Sequence, residues 1–481
     1  MSIVPASDSP AATPDAFDTR KDERPMLLQR VERFLSGLDA RLGFPLFILI
    51  NGALFLRPMD ALPRLAGWPI YEVLICSGLI ISSRRVIRQF RPDALVEQPI
   101  TACVLGLWLM VVLSHLSHLR ISAAMVSGIE FSKLVAYYLL LVGIIDTPSR
   151  LQWFLRWLAI FACTHIGLAV IQHYGVIDLP AMRPVEEMTL AREKGEIITK
   201  YRICGAGIFH DTNDLAVLIS ITTLLCVYHM TDQAGRKAAW RWIVPAAWFC
   251  GILLCVHALM LTQSRGGLLA MLAGLGIFFF LRYGWKSLAL AVLAPLLRML
   301  FVGRQTDLRM LSRTTAQMRL AYWEDGLSLF AHSPVFGIGQ GNFMKVIGNV
   351  AHNSFVHCFT ELGFLGGTFF LGAFVLAFLP LYRLRFRSDD DEGTFAELRR
   401  LRPYFLGIVV AWTVGMFSLS RSYVTPTYMI PGLAAVYLMM LTKQDPAQRP
   451  RVSLRLALRL AGFSVACLAV VYGFVMVFRR G

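Results

Sequence analysis

The segment Ala351-His352-Asn353-Ser354-Phe355 sets an imidazole beside a carboxamide where a long polar loop meets a hydrophobic run that continues to Leu379. An imidazole changes charge near neutral pH, so His352 is suited to take a proton from a hydroxyl. Simpler roles are open to both residues. Asn353 is a favoured helix N-cap, and His352 can be an interfacial polar residue. His357 follows five positions later, a poor spacing for sharing a metal on one helix face. Glu361 lies four beyond His357 and can pair with it.

Ser264-Arg265-Gly266-Gly267 is the second candidate. Ser264 can cap the helix behind it, and Arg265 then stands in a first turn, where the helix dipole disfavours a cation. An anion at that helix end would remove the conflict, because arginine binds phosphate oxygens in a two-pronged geometry. The glycines would let a ligand approach the backbone. The competing role is an arginine reaching to lipid headgroups.

Arg202 opens a third segment, and Asp211, Thr212, Asn213 and Asp214 close it with a cluster of capping residues before a hydrophobic run. Asp211 reads as a cap; Asn213 and Asp214 can cap, or meet a sugar or an arginine. The fourth holds Arg319 and Trp323, followed by the glycine-rich stretch 333–343. No strand precedes those glycines and no GK[ST] follows, which excludes a nucleotide-binding P-loop and leaves a tight turn that seats the loop against the membrane.

These groups need a scaffold, and composition defines it. The 481 residues are 56% hydrophobic and only 16% charged, with a mean hydropathy of +0.57. Apolar runs long enough to cross a bilayer recur along the whole length. The reading is an all-α, polytopic bundle of about 12–13 spans, at approximately 43–57, 66–82, 99–116, 128–145, 151–173, 208–230, 242–262, 266–282, 286–303, 354–380, 403–420, 425–441 and 458–478. The ninth is weakened by Arg298. Around them fall a polar tail with an amphipathic helix (1–43), a first bundle part (44–303), a long loop (304–352) and a second bundle part (353–481). Helical spacing through Leu311, Met318, Tyr322 and Leu327, then Ser333-Pro334, predicts an ordered loop with a helix and a turn.

The net charge of +16 comes from discrete inter-span clusters, which argues for membrane topology and against nucleic acid. Arg84, Arg85, Arg88 and Arg91 follow the second span, and further clusters follow the sixth, eighth, tenth and twelfth. All follow even-numbered spans, so the N-terminus is expected in the cytoplasm and the segments 174–207, 264–267 and 304–352 outside. Arginines on that outer side, including Arg183, Arg192, Arg265, Arg304, Arg309 and Arg313, run against the usual bias. Long loops escape the bias; the turn carrying Arg265 is short. Within the spans, Glu72, Glu130, Lys133, Arg156, His165 and His257 are expected to pair structurally, Glu130 with Lys133. The nine cysteines show no CxxC spacing and read as small buried hydrophobes.

Four segments stand in an order that resembles the O-antigen ligase/polymerase superfamily, bacterial membrane glycosyltransferases of GT-C type. They are RICGAGIFHDTNDLA (202–216), LTQSRGG (261–267), SPVFGIGQGNF (333–343) and AHNSFVHCFTELGFLGG (351–367). Arg319 and Trp323 match a basic–aromatic pair that the family carries before the third. The sequence departs from the family at His210-Asp211-Thr212-Asn213, where many members have an Asn-Pro-Asn or Asp-Pro-Asn turn.

The resemblance implies transfer of a glycan from undecaprenyl diphosphate to a hydroxyl, with inversion and with neither metal nor cofactor. The place would be the periplasmic face of the bacterial inner membrane. It implies His352 as general base or acceptor-positioning group, Arg265 and Arg319 as diphosphate ligands, and Arg202 as a weaker candidate. Asn353, Asn213, Asp214 and Glu361 would support the acceptor or the site. Three acceptors stay open: another lipid-linked repeat unit (a polymerase), lipid A-core (a ligase), or a protein hydroxyl. The long basic terminal additions favour the polymerase. A transporter of anionic lipid or solute is the non-enzymatic alternative.

Overall fold

The computed structural model describes residues 34–61, 63–65, 67–190, 197–232, 240–287, 311–384, 393–445 and 449–479. Helices dominate. In chain order, the principal α-helices are α1 (Phe44–Leu56), which continues a helical segment from residue 34, α2 (Ile70–Ile81), α3 (Ser83–Gln89), α4 (Pro92–Glu97), α5 (Pro99–Leu116), α6 (Ile121–Ile144), α7 (Pro148–His173) and α8 (Thr212–Thr231). They continue as α9 (Trp240–Thr262), α10 (Arg265–Tyr283), α11 (Leu311–His332), α12 (Phe343–Ile347), α13 (Ser354–Arg383), α14 (Gly393–Gly415), α15 (Thr425–Gln444) and α16 (Leu454–Arg479).

Twelve of the thirteen expected spans coincide with helices, and the ninth, 286–303, falls almost wholly outside the described residues. Among the described residues, nine helices are long and apolar enough to cross a membrane. The expected second span is shorter than read: α2 has 12 residues, about 18 Å of helix against a hydrocarbon core of about 30 Å. The expected eleventh, 403–420, shifts to 393–415, because its basic N-terminal stretch is helical and residues 416–424 form a turn. The expected N-terminal helix Arg20–Arg41 is described only from residue 34, where it runs on into the first span as Phe34–Leu56. Arg192, Arg304 and Arg309 also lie outside the described residues.

The loop 174–207 contains something the all-α reading did not include, an antiparallel hairpin. Its strands, β1 (Val185–Leu190) and β2 (Ile197–Arg202), pair Val185 with Arg202 and Leu190 with Ile197. From residue 311 onward, the loop before α13 is ordered as its spacing predicts, with α11 ending at His332.

The apolar faces decide which helix lies where. The spanning window of α8 is 83% buried, against 17% for α9 and 11% for α16, so α8 is central and the other two are peripheral. Close helix crossings use small residues, as is usual where apolar side chains gain nothing by leaving lipid. A Cβ on Gly274 of α10 would lie 2.9 Å from the carbonyl oxygen of Gly407 of α14. Aromatic packing ties α1 to α6 and α7, with Phe47 5.5 Å from both Tyr137 and Phe154.

Three of the intramembrane ionisable groups, Glu130, Lys133 and His165, have structural partners. Lys133 meets Glu130 at 2.9 Å. His165 donates from Nδ1 to the Phe55 carbonyl at 2.7 Å and accepts the Ala206 N–H on Nε2 at 3.3 Å, one tautomer serving both bonds. It thereby fixes the segment that leads into α8.

Candidate active site

One end of the bundle collects the N-termini of α8, α10 and α13. Helix N-termini expose unpaired backbone N–H groups and a positive dipole. Each has a cap, as the sequence leads one to expect. Asp211 accepts the Asn213 N–H at 2.6 Å; Ser264 accepts the Gly267 N–H at 3.0 Å; Asn353 accepts those of Phe355 and Val356 at 3.0 and 3.2 Å. The caps are also joined to one another, since Ser264 Oγ donates to Asn213 Oδ1 at 2.7 Å.

Asp214, one turn into α8, meets an arginine, but one the sequence reading did not single out. Arg421, in the turn between α14 and α15, donates from Nε to both Asp214 oxygens at 2.8 Å. Its backbone N–H donates to Ser354 Oγ at 2.9 Å, and Ser354 Oγ donates to the Leu419 carbonyl at 2.7 Å. The turn thus clamps the start of α13 onto α8. Burial pulls the Arg421 pKa down, but the Asp214 hydrogen bonds and the charges of Asp214 and Asp211 outweigh it and leave it raised. A signal for Arg421 was present: it sits in a short turn on the same side as Arg265, so the same charge exception marks it.

His352 precedes this cap with φ +50°, a left-handed conformation uncommon outside glycine. It is half-buried. Burial lowers its pKa below the usual imidazole value, the positive charges of Arg319 and Arg421 push the same way, and Asp211 opposes them. At neutral pH the ring is therefore uncharged and able to accept a proton.

Arg319 reaches this place because Trp323, four residues on, shares its face of α11. The indole Nε1–H of Trp323 donates to the carbonyl of Ala351 at 2.8 Å. Phe343, Ala351 and Val356 form a small core beneath the His352 loop, with Trp323 packed against it. Burial lowers the Arg319 pKa, against the pull of Asp211. Its Nε, and Nδ2 of Asn353, are buried donors without a hydrogen-bond partner among the described residues. Two orphan donors beside His352 suit an oxygen-rich, anionic ligand.

Arg265 starts α10, directly after Gln263 in a left-handed conformation (φ +50°) and the buried Ser264. The glycines behind it do something other than admit a ligand. A Cβ on Gly267 would stand 2.2 Å from Cβ of Ala216, and one on Gly266 2.4 Å from Ser418 Oγ, so they admit α8 and the Arg421 turn. Arg202 lies at the end of β2 and donates from Nε to the Thr262 carbonyl at 2.8 Å, tying the hairpin to the last turn of α9. Of the other arginines expected on the outer side, Arg183 pairs with Asp178 at 3.3 Å on the surface.

Glu361 is fully buried in α13, remote from solvent. It accepts the Phe343 N–H at 3.0 Å and meets His357 Nε2 at 3.3 Å, the pairing its spacing predicts. The glycine-rich stretch runs along α13 here. Gly363 (φ +68°) interrupts the helix, and the carbonyls of Thr360 and Glu361 accept the N–H groups of Ile338 and Gly339 at 3.1 and 2.9 Å. A Cβ on Gly337 would stand 2.3 Å from the Glu361 carbonyl carbon, so backbone meets backbone directly. Glu361 is accordingly a support for the segment that carries His352. Among the described residues, no group of three or more His, Cys, Asp and Glu side chains is arranged to hold a metal ion.

Residues 250–371 match the family model described as O-antigen ligase. This match supports the O-antigen ligase/polymerase superfamily, which the motifs resemble. The match takes in Arg265, Arg319, His352, Asn353 and Glu361, while Arg202, Asn213, Asp214 and Arg421 lie outside it. No curated protein matches the chain. A multi-pass bacterial membrane protein of glycan transfer is what this match and the helices together support.

Proposed function

We propose that the protein is a polysaccharide polymerase of the inner membrane. It transfers a glycan from undecaprenyl diphosphate to a hydroxyl of another lipid-linked repeat unit at the periplasmic face, with inversion and without a metal. The observation that carries the chemistry is His352: an uncharged imidazole held in a strained turn, beside Arg319, at a convergence of three helix N-termini. The arginine-rich loops at the opposite end support a periplasmic placement of this one.

His352 takes the proton of the acceptor hydroxyl as that oxygen attacks the anomeric carbon. The new C–O bond forms as the bond to the diphosphate oxygen breaks, and undecaprenyl diphosphate departs with the electron pair. Arg319 and Arg265 meet the charge growing on the diphosphate, assisted by the dipoles of α10 and α13. Arg421, engaged by Asp214, keeps the three helix ends in register.

The test uses purified protein with a synthetic undecaprenyl-diphosphate oligosaccharide as sole substrate. Longer lipid-linked glycans, absent with His352→Ala, support the polymerase. Transfer only after addition of lipid A-core or an acceptor protein replaces it by a ligase or a protein transferase. No product with any acceptor, together with solute-dependent transport in proteoliposomes, would return the protein to the transporters.

A further inference from the structure

The end of the bundle opposite His352 contains a cavity of about 910 Å³. Its wall is built around Arg85, which donates to Asp39 and, at 2.6 Å, to Asp146; Asp146 also receives Arg150 at 2.9 Å. Ser82 donates to Asp39 at 2.6 Å. The two carboxylates of the lining are thereby taken up by the wall itself. Arg84, Arg88, Arg91 and Lys443 also line the cavity, and all four are exposed. Spacing of four places Arg84 and Arg88 on one face of α3, and Arg91 lies in the turn that follows that helix.

Basic charge at this end follows from topology alone. Two further observations do not. Ile87 and Phe90, interleaved with the arginines, are 66% and 45% exposed, which sets this non-spanning segment at an apolar–polar boundary. Gln89 also lines the cavity. It is 6% exposed, donates from Nε2 to the Leu139 carbonyl at 2.8 Å, and has an Oε1 without a hydrogen-bond partner among the described residues. A buried orphan acceptor calls for a donor, which a phosphate diester lacks and a hydroxyl supplies.

We propose that this cavity binds a phosphoglycerol headgroup of a membrane lipid. The arginines hold the phosphate, and a glycerol hydroxyl donates to Gln89 Oε1. This site is separate from the transfer chemistry and does not rest on it.

The test is native mass spectrometry of the full-length protein in detergent, titrated with lipids of defined headgroup. Phosphatidylglycerol is expected to bind about a hundredfold tighter than phosphatidylethanolamine, given three arginines at the headgroup. Arg84→Gln/Arg88→Gln/Arg91→Gln, whose side chains are exposed, should lose that preference while keeping native helicity by circular dichroism. Gln89→Leu should erase discrimination between phosphatidylglycerol and phosphatidic acid, which has the phosphate without the glycerol. Equal binding of phosphatidylglycerol and phosphatidylethanolamine would overturn the proposal, as would a preference that survives in the triple variant. Glycerol 3-phosphate binding as tightly as the lipid would overturn the lipid source.

Discussion

Trp323 holds the backbone one residue ahead of His352: its indole N–H donates to the carbonyl of Ala351 at 2.8 Å. Because Arg319 lies one helical turn back on the same helix, this single bond sets the imidazole relative to the guanidinium. Trp323→Phe would keep an aromatic ring against Phe343 and Val356 and remove only the donor. A shift of about 1 Å in a reacting group can cost about a hundredfold in rate. Glycan transfer by the variant should fall tenfold to a hundredfold in kcat with little change in KM. An unchanged kcat would dissociate the indole from the placement of His352.

His352→Asn separates chemistry from folding. Asparagine tolerates the left-handed conformation seen at φ +50°, so the turn should form as before. It cannot accept a proton at neutral pH. Loss of a general base costs roughly 10² to 10⁴ in rate. The variant should unfold thermally where the parent does and show that loss in turnover. Retained turnover would remove the imidazole from the mechanism.

The pH dependence has a definite sign. The base form of His352 is the neutral ring, so activity falls as pH drops through its pKa. Burial and the charges of Arg319 and Arg421 lower that pKa, which places the acidic limb of kcat/KM below pH 6.5, the ordinary imidazole value. Arg319→Gln removes a positive charge and should move the limb to higher pH, whatever it does to the maximum rate. Asp211→Asn removes the opposing negative charge, keeps a good N-cap, and should move it lower. Shifts in the same direction for both variants would contradict the assignment of the limb to His352.

What the sequence revealed and concealed follows one rule. Features that depend on local spacing were legible: the caps Asp211, Ser264 and Asn353, the His357–Glu361 pair, the helix of the long loop and its stop at Ser333. Features that depend on which distant turns meet were not. Gly266 and Gly267 look like ligand clearance, and only the packing of Ala216 and Ser418 against them shows that helices need the space. The hairpin 185–202 was hidden in a loop whose polar composition carries no helical period. Arg421 was hidden because its partner Asp214 lies 207 residues away, although its place in a short turn expected on the outer side marked it as firmly as Arg265.

The Asp214–Arg421 pair should behave as a structural clamp more than as a ligand site. Asp214 is 4% exposed and has an arginine on both oxygens, so deleting Arg421 strands a buried carboxylate, and deleting Asp214 leaves a half-buried guanidinium without its carboxylate. Removing one member of a buried pair costs about 3 kcal/mol, whereas removing both costs far less than the sum. Asp214→Asn and Arg421→Gln should each destabilise the protein in thermal unfolding, and the double variant should recover part of the loss. Turnover should track this recovery, because the clamp acts by holding Ser354, and with it the turn of His352, against α8. If the double variant regained stability but not turnover, Arg421 would itself be engaging the diphosphate, and the cationic set of the site would extend beyond Arg265 and Arg319.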